Sequence, residues 1–189
     1  MTAAASALPL RTERLVLRDY EADDFDAVHA YGADPEVVRF MSWGPNDEAA
    51  TRDFLTRTIA TTRETPRTSW ELGMVSSETG ELLGGCGLMP RRLEYREWEL
   101  GYVLRRDLWG RGLVPEAARA VIDFGFRQLD AHRIYALIDP ENAGSIRVAE
   151  RLGMRHEGTW RRDALIHGEW RDTRVYALLS DQWAASRSN

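Results

Sequence analysis

The chain has 189 residues, 43% of them hydrophobic, which is the size of one domain with a substantial core, and no apolar run is long enough to span a bilayer. Its net charge of -5 argues against a polyanionic partner, so no nucleic acid is expected to bind, and the lack of a long apolar run leaves no membrane partner expected. Cys86 is the sole cysteine, which excludes an internal disulfide or a cluster of thiolate metal ligands, and all 25 basic residues are arginines, which excludes a Walker A phosphate loop and its lysine.

Met1 to Leu10 has neither a basic start nor a long apolar stretch, so the expected location is cytoplasmic. Residues 1–9, rich in small side chains, and the polar end 185–189 are expected to be flexible, leaving 10–184 as one domain. Arg14–Tyr20, reading RLVLRDY, alternates apolar and polar residues as a half-buried strand does. Glu21–Tyr31 switches to helical spacing through Phe25, Val28 and Tyr31. A second helix is expected from Asn46 or Asp47 to Ile59, with Phe54, Leu55 and Ile59 on one face. Three strands follow at Ser69–Val75, Leu82–Met89 and Arg96–Leu104, and Glu78-Thr79-Gly80-Glu81 supplies turn chemistry between the first two. Cys86 lies in an apolar, glycine-rich run and reads as a small core residue.

Pro115–Leu129 carries apolar residues at Ala118, Val121, Ile122, Phe124 and Phe126, and Pro115 suits a first helical turn. Arg133–Ile138 is a short apolar strand, and Ser145–Leu152 is a helix closed by Gly153. Met154–Ile166 and Glu169–Leu179 form a last pair of strands, turned by His167-Gly168. The order is β-α-α-β-β-β-α-β-α-β-β: an α/β fold with a mixed sheet. Within it, Arg96–Leu104 and Arg133–Ile138, joined through a helix, should run parallel.

The most informative stretch is Glu97–Ala117, EWELGYVLRRDLWGRGLVPEA: a strand, a loop with Gly110 and Gly112 one residue apart, then a helix. Such glycines let consecutive amides point into one concavity, and the helix N-terminus adds partial positive charge, which together make a cradle for a diphosphate. A tight strand-to-helix turn is the plain alternative for a lone GxG. A dinucleotide fingerprint would need a third glycine three residues after the second, where this chain has Pro115.

Further segments make the pattern more specific: LRTERLVLRDYEADDFDAVHAY at Leu10–Tyr31, LLGGCGL at Leu82–Leu88, ELGYVLRRDLWGRGLVPEA at Glu99–Ala117, PENAGSIRVAERLGMRHEG at Pro140–Gly158 and HGEWRDTRVYAL at His167–Leu178. In this order they cover nearly the whole chain, and with them the sequence resembles the GNAT superfamily of N-acetyltransferases. Within it, the chain is most similar to the RimJ/RimL type that acetylates ribosomal-protein N-termini. The resemblance implies a single-domain GNAT fold with a mostly antiparallel mixed sheet, whose fourth and fifth strands, Arg96–Leu104 and Arg133–Ile138, splay apart. It implies transfer of acetyl from acetyl-CoA to a primary amine by direct attack, without a covalent acyl-enzyme and without a metal. A homodimer is common in that branch.

The same resemblance implies roles for single residues. Val103 and Leu104 would offer main-chain groups to the pantetheine arm, and amides near them would stabilise the thioester oxygen as it gains charge. Gly110, Arg111, Gly112, Leu113 and Val114 would hold the diphosphate. The superfamily usually has Gln or Arg three residues before the first loop glycine; this chain has Asp107, so Arg105, Arg106 or Arg111 would have to compensate. Asn142 and Ser145 form an NxxS signature beside pantetheine and thioester, although both are also good residues for starting a helix. Relatives outside this branch carry a tyrosine acid four residues after Ser145; Ala149 stands there, leaving Ser145 as the candidate acid.

The attacking amine must be neutral, which at pH 7 costs about 4.6 kcal/mol for a lysine-type amine and about 1.4 kcal/mol for an α-amine. Glu99 is the first candidate for the base and Glu71 the next; both also read as solvated carboxylates or arginine partners. Glu97 shares a strand face with Glu99 and stays open as a third. The acceptor is expected to be a protein N-terminus or a small amine such as an aminoglycoside, a polyamine or an amino acid. A non-catalytic acyl-CoA sensor is the rival from another class. Trp43, Trp70, Trp98 and Trp109 are candidates for either pocket or core.

Overall fold

Alternation along the early strand does what such patterns require: in the computed structural model, which describes residues 7–186, Leu15 and Leu17 are fully buried on one face of β2 (Leu15–Arg18). β2 pairs with a two-residue strand β1 (Leu10–Arg11) and, on its other side, with β3 (Trp70–Ser76). β4 (Leu82–Arg92), β5 (Glu97–Leu104), β6 (Arg133–Ile138), β7 (Arg155–Ile166) and β8 (Glu169–Leu179) complete one eight-stranded sheet of order β1-β2-β3-β4-β5-β6-β8-β7. Every neighbouring pair is antiparallel except β5 and β6, which run parallel.

Helix α1 (Phe25–Gly32) is preceded by a 3-10 turn at Ala22–Asp24, so only the later part of the expected Glu21–Tyr31 helix is α. A four-residue α2 (Pro35–Val38) follows, capped by Asp34, which accepts from the Glu36 amide at 2.9 Å. α3 (Glu48–Thr61) starts at Asp47, whose carboxylate accepts from the Ala50 amide at 2.7 Å. α4 (Leu113–Gln128) is the long crossover between β5 and β6, α5 (Ala143–Arg151) follows β6, and α6 (Ser180–Ser186) closes the described chain.

Two cores result. Ala117, Ala118, Val121, Ile122 and Phe124 of α4 pack on Leu15, Leu17, Leu72, Cys86, Leu88, Leu100 and Ile134 of the sheet. A smaller cluster joins Val28, Tyr31 and Leu55 from α1 and α3 to Tyr20, Val75 and Leu82. Each fully buried Leu or Ile of this kind contributes roughly 1.5–3 kcal/mol of transfer free energy. Cys86 is buried as expected, and burial pushes its thiol well above the ordinary range. Trp70 and Trp98 are core residues, whereas Trp43 and Trp109 are exposed.

The departures from the expected order have local causes. β1 and α2 are too short to show a period, and β4 runs on through Pro90 to Arg92 because a register shift there tolerates a residue without an amide proton. His167 and Gly168 both have positive φ, 49° and 86°, which matches the twist of a two-residue hairpin. Ala7 and Leu8, within the segment expected to be flexible, pack against the main core. Residues 1–6 and 187–189 of the expected flexible ends lie outside the described residues. Among the described residues no helix is long and apolar enough to cross a membrane.

Candidate active site

The parallel pair is short. β5 and β6 are in register at Glu97–Arg133, Trp98–Ile134 and Glu99–Tyr135, and beyond Glu99 they part. A cleft of about 1020 Å³ reaches into the gap, with residues of β3, β4, β5, β6, α3, α5 and the β7–β8 hairpin on its walls. Glu71, Glu99, Val103, Asn142 and Ser145 all line it, so five of the expected site residues meet in one cavity.

The pleat places the two carboxylates. Glu71 of β3 stands opposite Gly87 of β4, which stands opposite Gly101 of β5, and Glu99 is two residues back along the same face of β5. Glycines in that row carry no side chain into the space between Glu71 and Glu99. Glu99 is held by Arg91, Nε to Oε2 at 2.5 Å, with its side chain 15% exposed. Glu71 accepts from the Thr58 hydroxyl at 3.1 Å and, among the described residues, pairs with no cation. Glu97, though on the Glu99 face, is bound by both Nε and Nη2 of Arg92 at 2.8 Å and lies outside the cleft.

Asn142 caps α5, its Oδ1 accepting from the Ser145 amide at 3.0 Å, so the plain helix-start role is present alongside its place in the cleft. Among the described residues no hydrogen bond engages the Ser145 hydroxyl. Ala149 is 1% exposed and packs into the core. A tyrosine that sequence reasoning missed arrives from the opposite wall: Tyr102 of β5 donates its phenol to the Ser145 carbonyl at 3.3 Å. Burial pushes that phenol up to about 12, so it stays protonated at neutral pH. Tyr20 and Tyr31, also in the cleft lining, form a second missed pair, hydroxyl to hydroxyl at 3.2 Å; burial raises both. These contacts span 43 and 11 residues, and no local period announces them.

The glycine loop lies beyond the C-terminal end of β5, outside the cleft lining. Gly110 and Gly112 have φ of 79° and 78°, the left-handed region where a side chain is strained, and a Cβ at Gly110 would meet nothing within 4 Å. The two glycines are therefore required by backbone conformation and not by lack of room. Gly112 caps α4, so the amides of Leu113 and Val114 open a 16-residue helix without intrahelical partners. Helix-start amides without intrahelical partners, the helix dipole and the exposed Arg111 fit an anionic diphosphate. The Leu104 carbonyl is occupied by the Trp109 indole at 2.9 Å. Of the arginines expected to compensate for Asp107, Arg105 is bound to Asp107 itself at 2.8 and 3.1 Å, Arg106 pairs with Asp34 at 3.3 Å, and Arg111 donates to the Asp107 carbonyl at 3.1 Å. Among the described residues no group of three or more His, Cys, Asp or Glu is placed to hold a metal ion.

A sheet whose one parallel pair splays over a glycine-rich loop and a crossover helix is the architecture of an acyl-CoA-dependent N-acetyltransferase. The family model of the acetyltransferase (GNAT) domain matches residues 14–155, and the chain belongs to that family. It is 34% identical to the uncharacterized N-acetyltransferase p20 of Bacillus licheniformis over 93% of this chain and 98% of that one. It is 25% identical to the spermidine N(1)-acetyltransferase of Escherichia coli K12, over 89% and 88% respectively. The crystal structure of a GNAT-family acetyltransferase from Bacillus anthracis superposes with a TM-score of 0.81 at 30% identity, covering 91% of this chain and 98% of that one. The protein is accordingly an enzyme that uses acetyl-CoA to acetylate an amine.

Proposed function

We propose that the acceptor amine enters the cleft beside Glu71 and attacks the thioester carbon of acetyl-CoA where β5 and β6 part. The observation that carries this reading is the placement of Glu71, Glu99 and Ser145 on the walls of one cleft that reaches into that gap. The amine nitrogen forms a bond to the acetyl carbon, the amine proton passes to a carboxylate, and the carbon–sulfur bond breaks to release a thiolate, which the Ser145 hydroxyl stabilises by donating a hydrogen bond and which is then protonated from solvent. Arg91 on Glu99 reverses the order expected of the two bases: Glu71, which pairs with no cation among the described residues, is the better placed to accept a proton, and Glu99 holds Arg91 at the rim. Amides near Val103 and Leu104 serve the oxyanion, Gly110–Val114 the diphosphate, and Asn142 orders the turn that carries Ser145.

The RimJ/RimL-type resemblance favours a protein N-terminal α-amine as acceptor. A small polycationic amine is the second reading, favoured by the cleft itself, where Asp53, Glu71, Glu99, Asp163 and Asp172 outnumber Arg57 and Arg91 in the lining, Asp139 being already paired with Arg171. Thiol release from acetyl-CoA, measured with peptides bearing free N-termini, polyamines, aminoglycosides and amino acids, separates them. Turnover with peptides above all other amines supports the first reading, and preference for polyamines replaces it with the second. Tight CoA binding with no thiol release for any amine would mark a sensor and overturn both. A homodimer, on resemblance alone, and a cytoplasmic location, on the sequence reading, complete the proposal.

A further inference from the structure

The diphosphate loop is gripped from the far side of the chain. Glu116, in the first turn of α4, accepts from the Thr12 hydroxyl at 2.6 Å, the Arg14 amide at 2.8 Å and Arg14 Nε at 2.7 Å. Arg14 Nη2 lies 2.6 Å from the same carboxylate, and Nη1 donates to the Arg111 carbonyl at 3.0 Å. A Cβ built on Gly112 would sit 3.6 Å from Arg14 Nη2. One guanidinium from the β1–β2 turn thus spans the loop and the helix that follows it. A planar fork can do this, whereas a lysine ammonium cannot hold both ends at once.

The charge arithmetic makes the arrangement more than a brace. A carboxylate in a first helical turn suits the helix dipole, but next to a bound diphosphate it is a like charge. Arg105, Arg106 and Arg111 are each directed to an acidic residue or its carbonyl, as described above, so Arg14 is the cation aimed at Glu116. Burial works to raise the Glu116 carboxyl, and the Thr12 and Arg14 hydrogen bonds outweigh it, holding the group below its ordinary range.

We propose that Arg14 is the positioning residue of the CoA diphosphate loop: it fixes the Arg111 carbonyl so that the left-handed turn at Gly112 stays formed, and it neutralises Glu116 against the incoming anion. The proposal rests on the diphosphate reading of Gly110–Val114. Calorimetric titration with CoA of the wild type, Arg14→Ala, Arg14→Ala/Glu116→Gln and Gly112→Val tests it. Arg14→Ala should weaken CoA binding roughly tenfold and raise KM for acetyl-CoA, with kcat at saturation and the acceptor KM unchanged. Adding Glu116→Gln should recover part of the loss, because the stranded carboxylate is gone while the Arg111 carbonyl remains unbraced. Unchanged CoA affinity in Arg14→Ala, or a loss that Glu116→Gln does not reduce, overturns the proposal. Should Arg14→Ala not fold, Arg14→Lys keeps the charge without the fork and should lose affinity by about threefold; unchanged affinity there counts against the proposal equally. Gly112→Val tells the two failures apart: if it too binds CoA normally the diphosphate reading has failed, and if it alone is weakened only the role of Arg14 falls.

Discussion

The phenol of Tyr102 reaches across the gap between β5 and α5 to the main-chain carbonyl of Ser145, 43 residues later in the chain, at 3.3 Å. The contact ties the strand that would hold pantetheine to the helix that carries the candidate acid. Tyr102→Phe removes it without changing ring size. A neutral hydrogen bond nets roughly 0.5–1.5 kcal/mol, and denaturant unfolding should show a loss in that range together with a lower kcat. A variant equal to the wild type in both would leave the tie without consequence.

CoA should protect the fold. A ligand that binds only the native state adds about 2.7 kcal/mol at one hundred times its Kd, so thermal unfolding should shift upward with CoA or acetyl-CoA and markedly less with NAD or ATP. An equal shift with NAD would contradict the assignment of the Gly110–Gly112 loop.

At Gly112 the backbone has φ of 78°, which a β-branched residue resists. Gly112→Val should weaken CoA by at least tenfold, about 1.4 kcal/mol, in a protein that still folds, and CoA titration checks it. Unchanged affinity in a folded variant would place the diphosphate elsewhere.

Alkaline pH should unfold the protein from within. Burial raises the Tyr20, Tyr31, Tyr102 and Cys86 groups in the native state, so near pH 10 the native chain holds protons that the unfolded chain has lost. With folded values above unfolded ones, the stabilisation is complete below the unfolded pKa values and is lost as pH rises through about 10 toward 12. Denaturant midpoints should fall between about pH 8 and about pH 11. A flat profile would mean these groups ionise freely in the native state.

Much of this was legible in the sequence because the informative features are local. The alternation of Arg14–Tyr20, the strand-loop-helix of Glu97–Ala117 and the Asn142 cap each write their structure into neighbouring residues, and Arg133–Ile138 was placed to the residue. What the sequence hid depends on distance along the chain. Arg91 on Glu99, Tyr102 on Ser145 and Arg14 on Glu116 join positions 8, 43 and 102 residues apart; the β4–β5 register makes the first contact, and the packing of α5 and α4 against the sheet makes the other two. The consequence for the site is concrete, since ranking Glu71 above Glu99 requires knowing which carboxylate an arginine already holds.

That ranking decides which carboxylate takes the proton of the attacking amine. The measurement is the pH dependence of thiol release for wild type, Glu71→Gln and Glu99→Gln with an accepted amine. If Glu71 removes the proton, Glu71→Gln should lower kcat by roughly 10² or more at pH 7 and much less near pH 9, where neutral amine forms unaided. Glu99→Gln, which only releases Arg91, should lose less at pH 7 and show no such recovery. Wild-type rates at pH 7 for Glu71→Gln, or the pH-dependent loss appearing in Glu99→Gln instead, would contradict the account.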